Sequence, residues 1–97
     1  MKRAILLSAK DTVATALQAV LAGENVEVAD RQNRICGRLT ARSPIPQGHK
    51  IALREMAAGE KIIKYGQVIG QSSDPIHRGD WVHTHNMESL RGRGDLV

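Results

Sequence analysis

Short apolar stretches separated by glycine set the rhythm of this chain of 97 residues. Residues 3–7, rich in Ile and Leu, predict a strand. Behind Asp11, a good N-cap, Val13, Ala16, Leu17, Val20 and Leu21 fall at helical spacing, and Gly23 follows as a helix stop. The spacing predicts one helix over residues 11–22, packed on a sheet. After Gly23 the period changes to two. Val26 and Val28 alternate with Asn25 and Glu27, Asp30-Arg31-Gln32-Asn33 makes a polar turn, and Ile35, Gly37 and Leu39 return on one side, which is a hairpin pattern. Ser43-Pro44-Ile45-Pro46 cannot continue a central strand, because proline has no amide donor.

A repeated pattern follows. Ile45-Pro46-Gln47-Gly48-His49-Lys50-Ile51, Met56-Ala57-Ala58-Gly59-Glu60-Lys61-Ile62 and Ile76-His77-Arg78-Gly79-Asp80-Trp81-Val82 share one order. Each has an apolar residue, two variable ones, glycine, a polar residue, a long side chain and a β-branched residue. The pattern predicts a tight turn feeding a strand, with glycine supplying a backbone angle other residues avoid. Tyr65-Gly66-Gln67 reads as a further turn. The expected fold class is mainly β with one N-terminal α-helix, in a single domain over residues 1–90. Residues 91–97, with Arg93-Gly94-Asp95, read as a flexible polar tail.

Composition narrows the functions. Phe is absent, and Tyr65 and Trp81 are the aromatic residues, so the core must be aliphatic. A chain this short buries a modest fraction of its surface, and a partner or a homo-oligomer would add to it. One cysteine, Cys36, excludes an internal disulfide and a cysteine-rich zinc site, and its strand setting suggests a small core residue. The net charge of +4 comes from interleaved signs: six Lys/Arg against four Asp/Glu over residues 1–40, and eight against six beyond. With no basic block and few rings to stack bases, nucleic acid is not the expected partner. Neither a membrane span nor a signal peptide is legible, so a cytoplasmic protein is expected.

Candidate chemistry concentrates in Trp81-Val82-His83-Thr84-His85-Asn86. On a strand, Trp81, His83 and His85 would share one face. Two imidazoles so placed can grip a metal ion or move protons near neutral pH. They can equally be polar residues facing solvent. A metal would need a third ligand from His49, His77 or a partner's carboxylate, so a complete zinc site within this chain is not expected. A second group comprises His49 and Lys50 with Lys61, Lys64 and Tyr65. Lysines near a turn can hold a carboxylate or phosphate. Lys61 and Lys64 should face opposite sides of a strand, and Lys64, beside the Tyr65-Gly66 turn, is the better candidate. No nucleophile elbow, dinucleotide fingerprint or P-loop is present.

Four stretches carry a family resemblance: Asp11-Thr12-Val13-Ala14-Thr15-Ala16-Leu17; Gly48-His49-Lys50-Ile51-Ala52-Leu53; Ile63-Lys64-Tyr65-Gly66 with Ile69-Gly70; and Gly79-Asp80-Trp81-Val82-His83-Thr84-His85-Asn86. In this order they resemble the SAF domain of the altronate/galactarate dehydratase family, and the alpha subunit of sulfolactate sulfo-lyase. The resemblance implies a β-clip fold and a lyase that removes water, or sulfite, from a hydroxy acid. It implies a divalent metal, Fe2+ or Mn2+, shared with a large catalytic subunit. The chain would be a dedicated small subunit or a piece of a longer enzyme, inactive alone. His83 and His85 are then expected to be catalytic and metal-binding, and His49, Lys50, Lys64, Tyr65 and Asn86 to bind substrate. The competing expectations are the sulfo-lyase alpha subunit, a non-catalytic sugar-acid-binding module, and a structural subunit without chemistry.

Overall fold

The computed structural model describes residues 1–89, so the expected tail at 91–97 lies outside the described residues. Nine strands follow in order: β1 (Lys2–Ile5), β2 (Val13–Ala16), β3 (Asn25–Ala29), β4 (Ile35–Thr40), β5 (Lys50–Ala52), β6 (Lys61–Lys64), β7 (Gln67–Ser72), β8 (Trp81–Val82) and β9 (Met87–Ser89). One sheet runs β4-β3-β1-β2-β5-β8 and the other β6-β7-β9. β1 and β3 pair in parallel, and every other pairing is antiparallel. Among the described residues no helix is long and apolar enough to cross a membrane.

The expected helix over residues 11–22 is overturned: the described residues contain no helix, and Val13–Ala16 form a strand. The apolar spacing there serves two cores rather than one stripe. Ala14 and Ala16 enter a core with Ala4, Val26, Val28, Leu39, Ile45 and Ile51. Val13 points the other way, into a core with Ala52, Met56, Ile62, Ile76 and Val82. A strand buried on both faces loses the alternation that marks a one-sided strand. Leu17 and Leu21, which complete the helical stripe on paper, are 44% and 64% exposed. Asp11 caps no helix. Its carboxylate accepts the backbone N–H groups of Ser8, Tyr65 and Gly66 at 3.1, 2.9 and 2.8 Å. It thereby pins the two-residue turn between β6 and β7, where Tyr65 and Gly66 both have positive φ, as a hairpin of this length prefers.

Removing the helix reveals a fourth copy of the glycine turn, Val20-Leu21-Ala22-Gly23-Glu24. The full unit is nine residues long and occurs at 16–24, 41–49, 52–60 and 72–80. It opens on a small buried residue: Ala16, Ala41, Ala52 or Ser72. Four positions later comes a buried apolar residue: Val20, Ile45, Met56 or Ile76. Three further on is Gly23, Gly48, Gly59 or Gly79, each with φ between +80° and +94°.

The units interlock in pairs. The Gly23 N–H donates to the Ala41 carbonyl, and the Ala41 N–H donates back to the Glu24 carbonyl, at 2.8 and 2.9 Å. Reciprocally, Gly48 and His49 bracket Ala16 in the same way, at 2.8 and 2.9 Å. Gly59 with Glu60 brackets Ser72, and Gly79 with Asp80 brackets Ala52. Midway, Val20 bridges Ile45 and Met56 bridges Ile76. Each pair encloses its own core: Ala16, Val20, Ala41 and Ile45 in one, Ala52, Met56 and Ile76 in the other. The bracketed residue must be small because two backbones close around it.

Two expected outcomes follow, both read by urea denaturation. A Cβ on Gly79 would sit 2.3 Å from the Thr40 carbonyl oxygen, whereas one on Gly48 meets nothing within 4 Å. Gly48→Ala should cost about 1–2 kcal/mol from the left-handed backbone alone. Gly79→Ala should cost at least ~3 kcal/mol, since backbone must also move. Equal costs would contradict this packing. Asp11→Ala should lose about 3 kcal/mol, a sum of charge-assisted bonds, and should deprotect the Tyr65 and Gly66 amides to hydrogen exchange.

Candidate active site

Two of the glycine turns deliver their following residues to one place. His49 and Lys50 leave the second unit, Trp81 leaves the fourth, and β5 pairs with β8 through Lys50↔Val82 and Ile51↔Trp81. The strand expected to run on through His85 ends at Val82. Asn86 is the cause. Its side-chain oxygen accepts the His83 N–H and its amide nitrogen donates to the Trp81 carbonyl, both at 2.9 Å. The N–H groups of Asn86 and Met87 close the turn onto the His83 carbonyl. Asn86 is buried, and both ends of its side chain are engaged within the protein.

The turn wraps His83 and His85 around the indole. The His83 ring stacks on Trp81 at 5.3 Å and 8°, and the His85 ring lies 5.1 Å from it at 44°. His49 lies 5.7 Å from Trp81 and 4.9 Å from His83. The Trp81 Nε1–H donates to His49 Nδ1 at 3.2 Å. Three imidazoles thus surround one indole at the surface, with His85 exposed and His49, Lys50 and His83 half-buried.

The field in this cluster is positive. Partial burial holds the His83 pKa below the usual imidazole value, and the charges of His49, Lys50 and His85 add to the effect. Burial lowers the Lys50 pKa too, and the charge of Lys64 pushes the same way. Among the described residues, neither Lys50 nor Lys64 has a carboxylate partner in a salt bridge. By contrast Glu27 takes both Arg3 and Arg38, and Glu60 takes Arg54. Lys50 and Lys64 together offer uncompensated charge to an anion.

The remaining sequence candidates lie elsewhere. The Tyr65 ring is exposed beneath the Arg31 guanidinium, 5.4 Å from it. Lys61 is exposed. His77 is held by Glu55 through Nδ1 at 2.7 Å. Cys36, expected in the core, is exposed on β4. Among the described residues no three His, Cys, Asp or Glu side chains come together as a metal ion would require. His49 approaches His83, and its Nδ1 is occupied by the indole. The described residues therefore do not by themselves present a metal's ligand set. Sequence reasoning passed over Trp81 as a hydrogen-bond donor. The signal was present: indole N–H groups that are partly buried need a partner.

Comparison with known proteins agrees with this architecture. The model of the altronate/galactarate dehydratase SAF domain matches residues 2–90. The (2R)-sulfolactate sulfo-lyase subunit alpha of Paracoccus pantotrophus is 46% identical over 54 residues, covering 56% of this chain and 81% of that subunit. The altronate dehydratase of Escherichia coli is 40% identical over 82 residues, which is 84% of this chain and 15% of that enzyme. The altronate dehydratase of Bacillus subtilis is 32% identical over 89 residues, 92% of this chain and 17% of that enzyme. The chain thus corresponds to a small part of the dehydratases and to most of the sulfo-lyase subunit. With a family model spanning nearly every described residue, the chain belongs to the altronate/galactarate dehydratase SAF domain family.

Proposed function

We propose that this chain is the small component of a two-part lyase that dehydrates a sugar acid such as altronate or galactarate, with the main catalytic groups on a separate, larger subunit. The observation that carries the reading is the pair Lys50 and Lys64, which have no carboxylate partner in a salt bridge among the described residues, beside the imidazoles of His49 and His83. It can bind a carboxylate on one side, yet it holds too few groups to enclose a substrate. A second surface has to close it.

The chemistry asked of these residues follows from elimination. A proton leaves the carbon next to the carboxylate, and the hydroxyl leaves from the neighbouring carbon. Lys50 and Lys64 neutralise the carboxylate and favour the enediolate-like charge that develops on it. His83, kept neutral near physiological pH by its surroundings, is suited to accept or return a proton, and His85 stands beside it at the exposed rim. A divalent ion at His83 and His85 would need its other ligands from the larger subunit, and no step here depends on it. The 46% identity to a sulfolactate sulfo-lyase alpha subunit favours a second reading, in which sulfite leaves in place of water.

The decisive test is affinity purification of this chain from its own cells with identification of what co-purifies. A much larger chain of the dehydratase or sulfo-lyase kind is expected, and assay of the complex on altronate, galactarate and sulfolactate selects the substrate. Within that complex His83→Ala should lower kcat by about 10²–10⁴-fold, the usual worth of a positioned acid or base. Unchanged turnover in an intact complex would reduce the chain to a binding or structural part.

The lowered His83 pKa gives an outcome for the chain alone. By NMR, His83 should titrate below 6.5, and Lys50→Met should move its midpoint upward while burial keeps it depressed. Unfolded chains bind this proton first as the pH falls. The stability contribution of His83 is therefore present above about pH 6.5 and is lost as the pH drops through the lowered midpoint. A midpoint above 6.5 would contradict the environment described.

A further inference from the structure

The position after the turn glycine has a fixed duty in three of the four units. Glu24 accepts the Leu21 N–H through its carboxylate at 2.7 Å, Glu60 accepts that of Ala57 at 3.1 Å, and Asp80 accepts that of His77 at 2.8 Å. Each acid caps the amide three residues before it and so holds the turn. In the second unit the amide position is Pro46, which has no N–H. No orphan donor remains there, and the residue after Gly48 is released from capping. That residue is His49.

Released from the turn, His49 is held from another side. An indole nitrogen can donate and cannot accept. The bond from Trp81 Nε1 to His49 Nδ1 therefore requires Nδ1 to carry no proton. The imidazole proton must sit on Nε2. The stack of His83 on Trp81 keeps the indole in place.

We propose that Trp81 is a positioning residue that locks His49 in the Nε2–H tautomer. His49 then presents an N–H donor, not a lone pair, to an anionic ligand. Resting on the reading of this cluster as the substrate site, the arrangement gives His49 a defined part: it hydrogen-bonds a carboxylate or enediolate oxygen, while proton acceptance falls to His83. Pro46 and Trp81 work together, one clearing the position and the other fixing its chemistry.

The test needs neither partner nor substrate, so its failure is separate from failure of the functional reading. Long-range proton–nitrogen correlation spectra of the free chain, recorded above the pH at which its imidazoles titrate, report the tautomer of each histidine. His49 should show its proton on Nε2 alone and an Nδ1 resonance displaced by the accepted bond. In Trp81→Phe, which keeps a ring for His83, the displacement should vanish and the second tautomer should appear. In His49→Ala, the Trp81 indole N–H should exchange with solvent at least roughly tenfold faster, a loss of protection of the kind opening equilibria govern. A wild-type His49 protonated on Nδ1, or His49 nitrogens unchanged in a folded Trp81→Phe, would overturn the proposal. The wild-type measurement decides by itself if the variants do not fold.

Discussion

The structure rests on one reciprocal arrangement of backbone hydrogen bonds. A glycine at positive φ turns its N–H toward a partner loop while the next residue turns its carbonyl the same way, and together they grip one small residue. Ala16, Ala41, Ala52 and Ser72 are gripped in this manner, and all are buried. Ser72 is the polar exception, and its hydroxyl is spent on the Ala57 carbonyl. A buried backbone group without a partner is costly. The grip satisfies both groups of the bracketed residue at once and lets short loops lie in the interior where regular strands give out. Everything else, including the placement of two aliphatic cores without a phenylalanine, follows from two such pairs set side by side.

The turns were largely legible and their partners were not. Glycine followed by a polar residue, with an apolar residue three positions earlier, marks the units that contain Gly48, Gly59 and Gly79. The unit that contains Gly23 carries the same marks, but Val13, Ala16, Leu17, Val20 and Leu21 imitate a helical stripe. Period alone cannot separate a helix face from a strand buried on both sides that runs into a turn. Asp11 misled for a related reason, since a buried carboxylate that gathers N–H groups is useful at a helix start and at a hairpin turn alike. At the site, the convergence of Trp81, His83 and His85 was readable from their spacing although the strand invoked for it is a turn. His49 stood in the sequence only as one of several third ligands, and by resemblance as a substrate contact, because its approach depends on the pairing of β5 with β8 and joins residues 32 positions apart.

The cluster at the end of these two turns differs in kind from the rest of the surface. Elsewhere many acids and bases are matched, since Arg3 and Arg38 share Glu27, Arg34 meets Asp30, and Arg42 meets Asp80, although Lys10, Arg31 and Lys61 are in no salt bridge among the described residues. Around Trp81 burial, and then the positive charges alongside, lower the proton affinity of His83 and Lys50. Like charges held together without counterions destabilise a fold slightly, and their retention is more readily understood as provision for a ligand than as structure. The turn scaffold makes this affordable, because His49 and Lys50 are fixed by main-chain pairing rather than by their own charges.

The interlocking of units has a kinetic side. The hairpins β3–β4 and β6–β7 join neighbours in sequence and can close in microseconds. The grips join residues 12 to 33 positions apart, from Ser72 with Glu60 to Ala16 with His49, and both ends must arrive before either contributes. Each half of a reciprocal pair depends on the other, so these contacts carry their loop-closure cost before they contribute. Such topologies fold slowly for their size. During that interval the apolar faces of β1, β2 and β5 stand open, which makes the time spent unfolded, more than the depth of the folded well, the quantity a cell would have to manage.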